Sequence, residues 1–135
     1  MSGSYRDLRV WQEARKLTVH IYKVTDRFPK HELYGLTGQL RRAAVSVASN
    51  IAEGKGHQTD KEFLKFLFHA RGSLLEAETQ IILSRELQYC SEEEADSLLK
   101  TTAKLGGLLT GLVNSLRGQL SFRRRVNSRS GTATI

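Results

Sequence analysis

Apolar residues recur every three or four positions through most of the chain. Val10, Ala14, Leu17, Ile21, Val24 and Phe28 fall on one side of a helix, with Trp11 and Tyr22 at its edge. Leu36, Leu40, Ala43, Ala44, Val47 and Ile51 form a second stripe. Phe63, Leu67, Ala70, Leu74, Ala77 and Ile81 form a third, and Ala95, Leu98, Leu105, Leu109, Leu112, Val113 and Leu116 a fourth. This spacing predicts helices over about 7–28, 34–53, 60–87 and 92–118. Their ends are marked too. Asp7 is a candidate N-cap, Pro29 a stop, and Gly54 a candidate residue just past a helix end. Thr59 to Glu62 and Ser91 to Glu94 read as capping boxes. No strand pattern and no internal repeat is visible.

Short connections between long helices make neighbours antiparallel. The expected fold class is therefore all-α, an antiparallel up-down-up-down four-helix bundle in one domain over residues 1–122. Residues 123–135 lie outside the stripes, are rich in Arg and Ser, and are expected to be a disordered basic tail.

The third and fourth helices carry more apolar surface than one bundle helix hides. Leu64, Phe68, Leu75 and Ile82 form a second stripe about 100° from the first. Leu99 and Leu108 widen the fourth helix in the same way. Such surface either packs within the subunit or meets a partner. These six residues are the candidate oligomer interface, and a homo-oligomer is expected. The stretch "RRAAVSVASNIAEGKG" shows the opposite bias, since its small residues suit close helix approach. Asn50 and Glu53 at its end read as a structural polar cluster or as a ligand contact.

Charge adds a partner class. The chain carries a formal +7, and Arg123, Arg124, Arg125 and Arg129 stand in a tail without an acid. That balance favours anionic partners, RNA or DNA before others. Candidate phosphate contacts are Arg9, Lys16, Lys23 and Arg27 along one face of the first helix. Lys55, Lys61 and Lys65 surround the second turn, with Arg41 and Arg42 nearby, and Arg123, Arg124 and Arg125 make the densest cluster. Each group also reads as an ordinary solvated face. No aromatic-basic surface that would stack single-stranded bases is legible. The four histidines lack the spacing of a metal site, Gly54-Lys55-Gly56 is not a phosphate loop, and Cys90 has no base beside it. The expectation is a non-enzymatic protein with no metal and no cofactor. No run of about 18 apolar residues occurs and no apolar leader opens the chain, so a cytoplasmic protein without a membrane segment is expected.

The segments "YRDLRVWQEA", "FPKHELYGLTGQLRRAAVSVASNIAEG", "KEFLKFLFHARGSLLEAETQIILSREL" and "GLLTGLVNSLR" carry a resemblance. They are similar, in order and spacing, to the bacterial four-helix-bundle family named for intervening sequences of 23S ribosomal RNA. The resemblance spans about residues 5–118 and leaves out the arginine tail. It implies a small basic bundle assembled as a ring-like homopentamer. A more distant relative implied by it is the accessory protein of diversity-generating retroelements, which binds a reverse transcriptase and nucleic acid. Two functions follow as expectations. One is an oligomeric protein binding RNA or DNA through phosphate contacts. The other is a scaffold for another protein, for example a reverse transcriptase.

Overall fold

The computed structural model describes residues 3–134, with side chains through Arg129. Four helices follow one another: α1 (Arg9–Thr25), α2 (Leu36–Lys55), α3 (Asp60–Glu86) and α4 (Glu92–Thr134). Short 3₁₀ turns at Tyr5–Asp7 and Lys30–Glu32 precede α1 and α2. The fold is all-α, and the four helices pack as a bundle. The helices pack in sequence order around a square, α1 on α2, α2 on α3, α3 on α4, with α4 closing on α1.

The core is the set of predicted stripes. All six stripe residues of α1 are buried, as are all six of the first α3 stripe. In α2 only Leu36, and in α4 only Leu112, is half-buried rather than buried. Burial of Leu17, Ile21, Leu40, Ile51, Leu67, Ile81, Leu98, Leu105 and Leu109 is essentially complete. Each such side chain contributes about 1.5–3 kcal/mol relative to an exposed one. The second stripe splits. Leu64, Phe68, Leu99 and Leu108 lean on the core of their own subunit. Leu75 and Ile82 stay exposed, at 57% and 37%.

Helix ends follow local chemistry, with three departures. The Ser91 box is complete: Ser91 N donates to Glu94 Oε1 at 3.0 Å and Glu94 N donates to Ser91 Oγ at 3.0 Å. Thr59 Oγ1 accepts from Glu62 N at 3.2 Å. Asp7, however, does not cap α1. Ser4 comes first, accepts from Arg6 N at 2.9 Å and starts a 3₁₀ turn, so α1 begins after Leu8. Gly54 is not past the end of α2 but inside it, and buried. The helix ends at Lys55 with Gly56 in right-handed geometry, φ −73°. The third departure is α4, which does not stop near Arg117 but continues to Thr134. Past Gly118 the residues Gln-Leu-Ser-Phe-Arg-Arg-Arg contain no proline and no capping glycine, and Leu, Gln and Arg favour helix.

The acidic end of the bundle is tied by side chains. Gln88 adopts φ 62°, and Tyr89 N and Gln88 N donate back to Ser84 O and Arg85 O, both at 2.9 Å. This turn lays Tyr89 on Phe28, with ring centroids 5.5 Å apart. Tyr89 Oη donates to Glu32 Oε2 at 2.8 Å, while Glu32 Oε1 accepts from Leu36 N at 3.0 Å. Donation from the Leu36 amide, then from Tyr89, holds the Glu32 carboxyl below its ordinary value. The Ser91 amide, then Arg27, does the same for Glu94. Both groups therefore stabilise the folded chain fully above the unfolded value near 4.5, and this contribution is lost as pH falls through their depressed values. The melting temperature is expected to stay flat from about pH 7 to 5 and to fall below that. Glu32→Gln combined with Glu94→Gln is expected to lower the melting temperature at neutral pH and flatten the acid limb; an unchanged limb would show that these carboxylates are not the groups concerned.

Candidate nucleic-acid interface

Antiparallel packing gathers the start of α1, the end of α2, the start of α3 and the end of α4 at one end of the molecule. Arg123 Nη1 lies 3.0 Å from Asp60 Oδ2, which sets α4 residue 123 level with the first residue of α3. Beyond Arg123, α4 runs past the start of α3 for about 15 Å at 1.5 Å per residue. Ten Lys and Arg residues gather at this end: Arg6, Arg9, Lys55, Lys61, Lys65, Arg117, Arg123, Arg124, Arg125 and Arg129. Asp7, Glu13, Glu53, Asp60 and Glu62 oppose them. The other end reverses the sign. There Asp26, Glu32, Glu86, Glu92, Glu93, Glu94 and Asp96 outnumber Lys23, Arg27, Lys30, Arg41 and Arg85. The bundle is polarised along its axis, and a field of this kind draws a polyanion to one end.

The structure divides the predicted phosphate contacts. Lys61, Lys65, Arg124 and Arg125 are exposed at the basic end and make no ion pair among the described residues. Arg9 is exposed at the same end. Lys55 is half-buried, with Nζ 5.9 Å from the centre of the Phe63 ring. Arg123 is engaged by Asp60.

The α1 ridge is not one surface. Lys16 sits 3.6 Å from Glu13, which also takes Lys104 at 3.4 Å. Lys23 and Arg27 lie at the acidic end, where Arg27 pairs with Glu94. Arg41 has a structural place: its Nε donates to Thr25 Oγ1 at 2.9 Å and its guanidinium lies 4.7 Å over Tyr22. Arg42 is exposed beside a groove between α2 and α3 lined by Gln39, Ser46, Glu76 and Gln80. The structure therefore brings together Lys55, Lys61, Lys65 and Arg123 to Arg125, and does not bring Lys16, Lys23, Arg27, Arg41 or Arg42 to them.

Of the two polar residues at the end of α2, Asn50 is back-bonded to Ser46. Its Nδ2 donates to Ser46 O at 2.8 Å and Ser46 Oγ at 3.0 Å, and Ser46 Oγ meets Ser73 Oγ of α3 at 2.8 Å. Glu53 is exposed and outside this chain of bonds. Phe68, a candidate interface residue, lies between two guanidinium groups of its own subunit, Arg117 at 4.9 Å and Arg71 at 5.2 Å.

One feature escaped the pattern of the chain altogether. His57 stacks on Phe66 with centroids 4.8 Å apart and planes 20° apart, and His69 lies 6.1 Å from the same ring. Aromatic and basic groups are thus interleaved at this end, contrary to the expectation from sequence. His57 is in a turn and Phe66 on a helix, and helical spacing says nothing of their meeting. The turn before the Thr59 cap was the local signal.

Among the described residues no group of three His, Cys, Asp or Glu side chains is placed to hold a metal ion. Burial pushes the Cys90 thiol up, with Glu94 adding to the effect, so little of it is thiolate at neutral pH. Among the described residues no helix is long and apolar enough to cross a membrane.

The fold and its charge define a class: a helical bundle with one basic end and an extended last helix. The chain belongs to the 23S rRNA-intervening sequence protein family, whose model matches residues 6–111. The part of α4 beyond that match carries the arginine cluster. A crystal structure from Bacteroides thetaiotaomicron, of a protein of unknown function from the S23 ribosomal protein family, is similar at 20% identity with a TM-score of 0.72. The similarity covers 78% of this chain and 95% of that one. None of the curated proteins matches the chain.

Proposed function

We propose that this protein is a non-enzymatic, cytoplasmic, oligomeric bundle that binds RNA or DNA through phosphate contacts at its basic end. The observation that carries the proposal is the segregation of charge: among the described residues Lys61, Lys65, Arg124 and Arg125 stand exposed and unpaired by acids on one end. Phosphate contacts release condensed counterions, so affinity falls linearly with salt on logarithmic axes, by about 0.9 per contact on duplex DNA. Several weak contacts repeated on linked subunits add by avidity. Self-association is supported by the exposed residues Leu75, Ile82 and Leu83 of α3 and Leu87 just past its end. A homopentamer is the assembly that the family resemblance implies. The same apolar band favours the second reading, a scaffold for another protein such as a reverse transcriptase.

The test is a binding titration with labelled RNA and DNA at several salt concentrations, with sedimentation in parallel. The expected result is an oligomer whose affinity drops by orders of magnitude between about 50 and 200 mM salt and depends little on sequence. No binding at the lower salt, with a stoichiometric protein partner that survives nuclease treatment, would replace this reading with the scaffold.

A further inference from the structure

We propose that the His57–Phe66–His69 row is a stacking platform for an unpaired nucleobase, with Lys61 and Lys65 taking the flanking phosphates. This rests on the nucleic-acid reading above and names its preferred substrate as single-stranded rather than duplex.

The geometry builds the platform from the backbone outward. Gly54 has no side chain, and α2 therefore meets α3 at Phe66 more closely than any other residue would allow. The chain then turns, with His57 N donating to Gly54 O at 3.1 Å. That turn delivers the imidazole onto the Phe66 ring. His57 is exposed, so a flat ring stands at the surface with a second ring already behind it. Lys61, Lys65 and His69 follow at intervals of four residues on α3, which puts them on one exposed face about 6 Å apart along the axis. A stacked pair of rings, with His69 tilted 51° beside it, next to a row of cations is an arrangement that suits single strands, because every base offers a π-face and the backbone tracks the charges. A duplex keeps its bases stacked on each other and gains only the charge contacts.

The experiment uses the full chain with an oligonucleotide of about 16 nucleotides carrying 2-aminopurine, and a duplex of the same length. The expected result is tighter binding of the single strand, with quenching of 2-aminopurine fluorescence as the base stacks. His57→Ala is expected to weaken single-strand binding about tenfold and abolish the quench, with duplex binding unchanged. His57→Phe is expected to restore both, and Lys61→Ala to weaken both probes while keeping the quench. Binding of both probes with no quench, or a neutral His57→Ala, would overturn the platform and leave the charge-based function standing. Failure of the wild-type chain to bind either probe would overturn both.

Discussion

Replacing Gly54 with alanine is expected to cost about 3 kcal/mol of stability, the upper part of the range for overpacking a tight interface. A Cβ at this position would stand 2.6 Å from Phe66 Cβ and 3.0 Å from the Phe63 ring. Phe66 Cβ is anchored to the α3 backbone, so relief requires the two helices to part. Gly107 and Gly111 provide the contrast, since a Cβ there meets nothing within 4 Å. Alanine at either should stabilise the single subunit by about 0.5–1 kcal/mol, the ordinary gain on removing glycine from a helix. Urea or thermal denaturation of the three variants checks both signs. A Gly54→Ala protein as stable as the wild type would mean that α2 and α3 do not meet as closely as described.

The second large effect concerns binding. The double variant Arg124→Glu with Arg125→Glu is expected to lower nucleic-acid affinity about a hundredfold near 0.1 M salt and to reduce the salt slope by about 2. Both arginines are exposed, so stability should change little. Lys23→Glu with Lys30→Glu, at the acidic end, is the matched charge control and should leave the slope nearly unchanged. Equal slopes for the two double variants would remove the distinction between the ends, and with it the proposed location of the interface.

The two expectations differ in how visible they were along the chain. Ile21, Val47, Leu67 and Leu105 announce themselves by spacing, because a helix must bury whatever apolar stripe it carries. Ser91 and Glu94 likewise declare a helix start through bonds spanning three residues. Gly54 is different. It stands where a helix terminator is expected, and only the position of Phe63 and Phe66 on another helix shows that it is a contact instead. The spacing of Phe68 says nothing of Arg71 and Arg117, which lie against its ring. Arg41 looked like a phosphate contact, but Tyr22 and Thr25 hold it.

The same division holds for the whole protein. Sequence alone determined the four helices, their core faces, the Ser91 capping box, the Thr59 cap and the excess of positive charge, because each depends on residues within a turn or two of one another. Tertiary structure decided the rest: which cations share an end, which pair with acids, and that His57 and Phe66 stack. Those facts depend on the register between antiparallel helices. Register is set by the summed packing of all four stripes, and no local window of the chain contains it.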